Sequence, residues 1–284
     1  MRVGVAQVAQ SDDIPANCTR ALRYIDAAAE MGVEVLCFPE AHLPGYRVDI
    51  TPTDAPVRVR ELDACQARIA ERCATHRIAC LVGSERRVPR EKPRNTVLVV
   101  DERGNVVGRH DKTILTPLDA LAYSPGEGFE VWLLHGVLVG VVTCFEGFRF
   151  ANTTRQCVLK GAQVVFHPQN NTTRAGVAWK LPVHESMIVT RAAENTVFFI
   201  SVNMACEHQN SRSLIVGPDG TLRGATKLHE EELLVRDLDL SEATRAMALF
   251  EKNGMSEILF GNAASQEEHA RVESREMRRE GTVE

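Results

Sequence analysis

Apolar and polar positions change period repeatedly along this chain, and each change predicts a new element. Residues 2 to 8, RVGVAQV, alternate valine with polar or small residues, the period of a strand, whereas the segment from Asn17 to Met31 carries apolar residues at helical spacing. Residues 33 to 38, VEVLCF, form a short unbroken apolar run that suits a strand covered on both faces, and Pro39 and Glu40 close it. Helical spacing returns from Val57 to His76, and residues 78 to 85 read as a strand again. Two valine-rich runs between residues 94 and 110, separated by Asp101 to Asn105, predict a hairpin with Gly104 free to take a positive φ. Residues 111 to 129 are rich in proline and glycine, show no period, and predict a loop. A second strand pair surrounds His135 and Gly136. Beyond it come a helix over 151–160 closing at Gly161, a strand over 163–168, a helix over 176–195 and a strand over 196–203. The Gly217-Pro218-Asp219-Gly220 turn and the run over 232–240 supply the last strands.

Strands alternating with helices predict an α/β fold, and the lack of a linker or repeat predicts one domain over residues 1–262. Residues 263–284 mix both signs of charge with almost no hydrophobes and cannot bury a core. They are expected to be a charged tail, disordered or ordered against another subunit. With 44% hydrophobic and 25% charged residues and a net charge of -5, the chain has no general attraction for nucleic acid or an anionic membrane, so a small molecule is the expected partner. No apolar run approaches the ~20 residues of a membrane span, and the first ten residues lack the zones of a signal peptide, which predicts a cytoplasmic location. The eight cysteines include no CxxC pair and no tight Cys/His cluster, so neither a zinc site nor a dithiol redox site is expected.

One cysteine stands apart by position. In GVVTCFEGFRF, residues 140–150, Cys144 follows a buried β-branched run at the point where the chain must turn, and a strand-to-helix elbow leaves a nucleophile accessible there. A free cysteine is more often a small packed hydrophobe, so Cys144 needs partners to be more than that. Glu40 at one strand end and Lys112 at the opening of the long loop are of the right type. A carboxylate can take a thiol proton, and an ammonium can stabilise a thiolate or a developing oxyanion. His167, at the end of another strand, is a further candidate ligand or base, with a hydrogen-bonded structural role as the alternative. Tyr46, behind Pro44-Gly45, and Trp179 are candidates for lining a pocket, with packing as the alternative for each.

Taken as an ordered set, FPE at 38–40, HDKTIL at 110–115, GVVTCFEGFRF with Arg155 and Gly161-Ala162 behind it, RAAENTVFFISVN at 191–203 and SLIVGPDG at 213–220 resemble the nitrilase or carbon–nitrogen hydrolase superfamily. The resemblance extends over roughly residues 2–240. It implies a four-layer α-β-β-α sandwich, no metal or organic cofactor, and pairing of two sandwiches into a homodimer or larger homo-oligomer. It further implies Glu40 as general base, Lys112 as stabiliser of the tetrahedral intermediate, Cys144 as the nucleophile forming a thioester, and the Phe145 backbone N–H as a second oxyanion donor. Glu146 and Arg155 would brace the elbow. The sequence Phe145-Glu146-Gly147-Phe148 resembles amidase and carbamoylase branches, which implies release of ammonia from a small amide or an N-carbamoyl compound. An acyltransferase on the same residues, or a binding or regulatory homologue with weakened catalysis, is the alternative. The chain departs from the family where a second glutamate is usual, six residues before Pro125-Gly126, and carries Asp119 there. Aspartate keeps the charge but is one methylene shorter, so the loop shifts to compensate, Glu127 serves from elsewhere, or the site is weakened.

Overall fold

A computed structural model describes residues 1–172 and 179–250 of the 284. The strands are β1 (Arg2–Gln7), β2 (Val35–Cys37), β3 (Ala79–Arg86), β4 (Arg94–Val100), β5 (Val106–Asp111), β6 (Val131–Leu134), β7 (Val137–Val141), β8 (Val164–Pro168), β9 (Phe198–Val202), β10 (Leu214–Val216), β11 (Leu222–Ala225) and β12 (Glu232–Asp237). The helices are α1 (Ile14–Glu30), α2 (Val59–His76), α3 (Asp119–Ala122), α4 (Phe145–Arg149), α5 (Ala151–Leu159) and α6 (Lys180–Ala193).

The strands form two six-stranded sheets, ordered β12-β1-β2-β3-β4-β5 and β11-β10-β9-β8-β7-β6. Each has a parallel centre, β1-β2-β3 in the first and β7-β8-β9 in the second, with antiparallel neighbours outside it. Alternation along the central strands decides what each face meets. Val35 and Cys37 of β2 join Val141, Val164 and Phe166 of the other sheet in the cluster between the sheets, while Leu36 faces α1 and α2. On the second sheet Val165 and Phe199 face outward with Val158 of α5 and Ile188 of α6. The result is the four-layer α-β-β-α sandwich.

Helix α1 begins three residues before the periodic segment that predicted it. The Asp13 carboxylate caps it by accepting from the Ala16 N–H at 3.0 Å, and Pro15 occupies the first turn, where no N–H is required. Its buried stripe, Cys18, Ala21, Leu22, Ile25 and Ala28, repeats every three or four residues. Two short helices appear where only connections were expected. One is α3, inside the 111–129 loop; the other is α4, which starts directly after Cys144. The helix expected over 176–195 is observed as α6, with residues 176–178 outside the described residues, as are the boundary at 262 and the 263–284 tail.

Candidate active site

The parallel strands of both sheets deliver side chains from their C-terminal ends to one region, as open α/β sheets do. Beyond β7, Cys144 takes φ 47° and ψ -107°, a conformation L-residues rarely adopt, and α4 begins at the next residue. Several contacts hold this elbow. The Cys144 N–H donates to the Pro168 carbonyl of β8 at 2.9 Å, and the Cys144 carbonyl accepts from the Phe148 N–H at 3.1 Å and from His167 Nε2 at 2.8 Å. Because a carbonyl only accepts, His167 carries its proton on Nε2, and Nδ1 accepts from Ser201 Oγ at 2.9 Å. Burial depresses this imidazole to a pKa of about 3, so it is neutral. Arg191, from α6, donates Nε to the Gly147 carbonyl at 2.8 Å and secures the far side of the turn.

Glu40 is fully buried just past β2, ahead of Ala41 at φ 49°. Its Oε1 accepts from Lys112 Nζ at 2.7 Å and Asn95 Nδ2 at 2.8 Å, and its Oε2 from the Asn170 N–H at 2.9 Å. Lys112, also fully buried, directs Nζ at Asp119 Oδ2, 2.8 Å away. Asp119 in turn accepts from the Tyr46 hydroxyl and from the Thr116 N–H. On the thiol side, Asn171 Nδ2 donates to Cys144 Sγ at 3.4 Å.

These contacts set the charges. Burial opposes the Lys112 ammonium, but the carboxylates of Glu40 and Asp119 outweigh it and hold the amine well above its ordinary pKa. Burial raises the Glu40 carboxyl despite the opposing effect of Lys112, while Asp119 overcomes its own burial through Lys112 and Tyr46 and stays low. The Cys144 thiol is pushed up by burial and by the Glu40 charge, with Lys112 working the other way, so it rests protonated near a buried carboxylate.

Glu146 joins the two halves of the site. Its Oε2 accepts from the Thr143 N–H at 2.6 Å and pairs with His110 Nε2 at 2.7 Å; its Oε1 accepts from the N–H groups of Thr113 and Ile114. Although burial works to raise it, the pairing with His110 and these backbone donors hold the carboxyl low. The residues directly after Lys112 are thus tied to the residue directly before Cys144. Arg155 binds the Glu194 and Met247 carbonyls and fastens α5 to the chain beyond α6.

The fold therefore gathers Glu40, Lys112, Asp119 and Tyr46 with Cys144. Asp119 meets Lys112 directly, whereas the Glu127 side chain is 89% exposed and lies 3.9 Å from Arg94. The shorter carboxylate is positioned by the helical turn α3 and by the tyrosine that reaches it. His167 stands behind the elbow and not in front of it: it is fully buried, and both ring nitrogens are occupied by protein groups. Trp179 is 56% exposed at the start of α6, and among the described residues no contact joins it to the cluster. Sequence reading passed over Asn95, Asn170 and Asn171. The Gln-Asn-Asn run following His167-Pro168 at a strand end was the available signal for the last two. The Phe145 N–H lies in the first turn of α4, where the helix itself offers it no acceptor. Among the described residues no group of His, Cys, Asp and Glu is arranged to hold a metal ion, and no helix is long and apolar enough to cross a membrane.

A thiol within the electrostatic reach of a buried carboxylate–ammonium pair can perform nucleophilic acyl transfer. The sequence profile of the carbon–nitrogen hydrolase family matches residues 2–247. An (R)-stereoselective amidase of a Pseudomonas species is 28% identical over 206 residues, covering 72% of this chain and 70% of that protein. An omega-amidase of Xenopus tropicalis is 26% identical over 257 residues, covering 84% and 88%. Among solved structures, an amidase from a Nesterenkonia species superposes with a TM-score of 0.73 at 23% identity over 89% of this chain and 95% of that one. A mutant of the amidase from Nesterenkonia sp. AN1, showing the result of Michael addition of acrylamide at its active site cysteine, superposes at 0.74 over 89% and 99%, again at 23% identity.

Proposed function

The chain belongs to the carbon–nitrogen hydrolase family, and within that family we propose that it releases ammonia from a small amide or N-carbamoyl compound through a thioester on Cys144. The observation that carries the reading is the fully buried Glu40–Lys112–Asp119 chain of contacts beside the Cys144 elbow. As Sγ attacks the carbonyl carbon, Glu40 takes the thiol proton, and the oxyanion meets Lys112 Nζ and the Phe145 N–H. A fixed donor of this kind contributes roughly 3 kcal/mol. Glu40 passes its proton to the leaving nitrogen, the C–N bond breaks, and ammonia departs. Water then attacks the thioester with Glu40 as base, returning the thiol and a carboxylic acid from an amide, or from a carbamoyl compound a carbamic acid that loses carbon dioxide to leave the amine. The upward shift that burial gives the Glu40 carboxyl suits this exchange, because it makes the carboxylate a stronger base toward the thiol proton. Burial of Lys112 and Glu40 removes competing water and strengthens their interaction with charge formed in the reaction. Pairing of two copies across a helical face belongs to the same proposal and is read by light scattering.

Ammonia release from a panel of small amides, N-carbamoyl compounds and nitriles tests the reading. Amides or carbamoyl compounds are expected to yield ammonia and a mass increment on Cys144, and Cys144→Ala is expected to lose both while keeping its circular dichroism spectrum. Absence of ammonia and of any adduct across the panel rejects the proposal. Acyl transfer to an added amine in preference to water would instead assign the acyltransferase reading.

A further inference from the structure

A cleft of about 720 Å³ opens on the first-sheet side of the molecule, between the segment leading into α2 and the connection from β3 to β4. None of its lining residues belongs to the Cys144 cluster. Four are arginines, two on each wall: Arg58 and Arg60 at the start of α2, Arg87 and Arg90 in the opposite connection; Glu61 and Glu91 are the only carboxylates among its lining residues. This concentration of positive charge occurs on a chain whose net charge is -5.

Most charged pairs elsewhere in the molecule are closed. Arg47, Arg72, Arg86, Arg191 and Arg212 each have a carboxylate within 3 Å. In the cleft, Arg58 donates Nη2 to the Asp12 backbone carbonyl and lies 3.8 Å from Glu61, and among the described residues no carboxylate lies within 4.0 Å of Arg60, Arg87 or Arg90. The walls are nonetheless held in place. The buried Arg47 guanidinium grips Glu85 at the end of β3 through two bonds of 2.6 and 2.8 Å and donates to the Ala55 carbonyl of one wall at 2.6 Å; Lys92 Nζ donates to the Ala120 carbonyl at 2.6 Å and pins the other. Helix α2 begins at this cleft without a side-chain cap, which adds its positive end to the same space.

We propose that this cleft binds a small molecule carrying at least two anionic groups, phosphates or carboxylates, bridged between the arginines of the two walls. Guanidinium groups on facing walls suit such a ligand, because each can bond a carboxylate or phosphate through two parallel N–H groups. A volume of this size is within the range of small-ligand sites. The proposal does not depend on the chemistry at Cys144.

Isothermal titration of the full chain at physiological salt, with pyrophosphate in one arm and citrate in the other, tests it and separates the phosphate from the carboxylate source. Saturable binding of at least one is expected. Arg60→Ala and Arg87→Ala should each weaken it roughly tenfold or more, the scale of one charge-assisted bond, while leaving ammonia release without anion unchanged. Amide spectra that shift at residues 55–61 and 87–93 on titration would support the location. No binding of either anion overturns the proposal. So does binding by both variants as tight as that of the parent chain, or a change in oligomeric mass on Arg87→Ala without loss of anion affinity, which would make the cleft an interface between copies.

Discussion

Glu146 performs a task that neither its type nor its place beside Cys144 reveals. A carboxylate two residues after a cysteine could touch substrate, yet both its oxygens are engaged by His110, Thr113, Ile114 and Thr143. It sets the separation of Lys112 from Cys144. Glu146→Gln replaces an acceptor with an NH₂ group that must face a donor, so the expected outcome is a loss of about 2–3 kcal/mol in urea unfolding and a fall in kcat with KM little changed. Equal activity of the variant and the parent protein would show that Lys112 is placed by other contacts. Asp119 is a comparable case. Its side chain alone reads as a shortened glutamate; its partners, Lys112 and Tyr46, show that the carboxylate still reaches the ammonium.

At the scale of elements, the site depends on how closely the strand ends approach one another. Gly83 of β3 lies against the backbone that carries Glu40: a Cβ there would sit 2.0 Å from the Pro39 carbonyl and 2.5 Å from the Ala41 nitrogen. Gly83→Ala must therefore push the segment after β2 aside. Such overpacking costs about 1–3 kcal/mol, and with Glu40 as the proposed base a shift of its carboxylate by an ångström reduces turnover roughly a hundredfold. Ammonia release and thermal unfolding measured together check this, and an unaltered rate would refute it. The elements themselves were readable from periodicity, β1, β3, β7 and β8 almost to the residue. Helices α3 and α4 were not, because four or five residues are too few to display a period.

For the whole molecule, enclosing polar groups between layers makes stability depend on pH. Burial holds His42 and His167 at pKa values of about 3 and His184 at about 4. Unfolded, each protonates near 6.5. Below that value the unfolded chain binds more protons than the folded one, so stability is complete above about pH 6.5 and declines as pH falls toward the folded values. Each histidine contributes a slope of up to roughly 1.4 kcal/mol per pH unit in that window. Glu40, whose carboxyl is raised by burial, acts in the opposite sense but is one group against three. Urea midpoints at pH 7 and pH 5 should show the decline, and equal midpoints would contradict it.

By itself the amino-acid sequence determined the alternation of strands and helices, the apolar faces, and the presence of a thiol, a carboxylate and an ammonium at the ends of elements, together with their family resemblance. Those properties follow from local sterics and from side-chain periodicity, which act over a few residues. Only the tertiary structure decided which ends converge. Residues 40, 112, 119, 144 and 170 meet because β2, β5, β7 and β8 point the same way in two stacked sheets, a consequence of strand order and crossover that spacing along the chain does not encode. The same packing put His167 behind the elbow, exposed Glu127, and brought Asn95, Asn170 and Asn171 to charged partners and to the thiol, since a buried polar group must find a donor or acceptor wherever the fold leaves one.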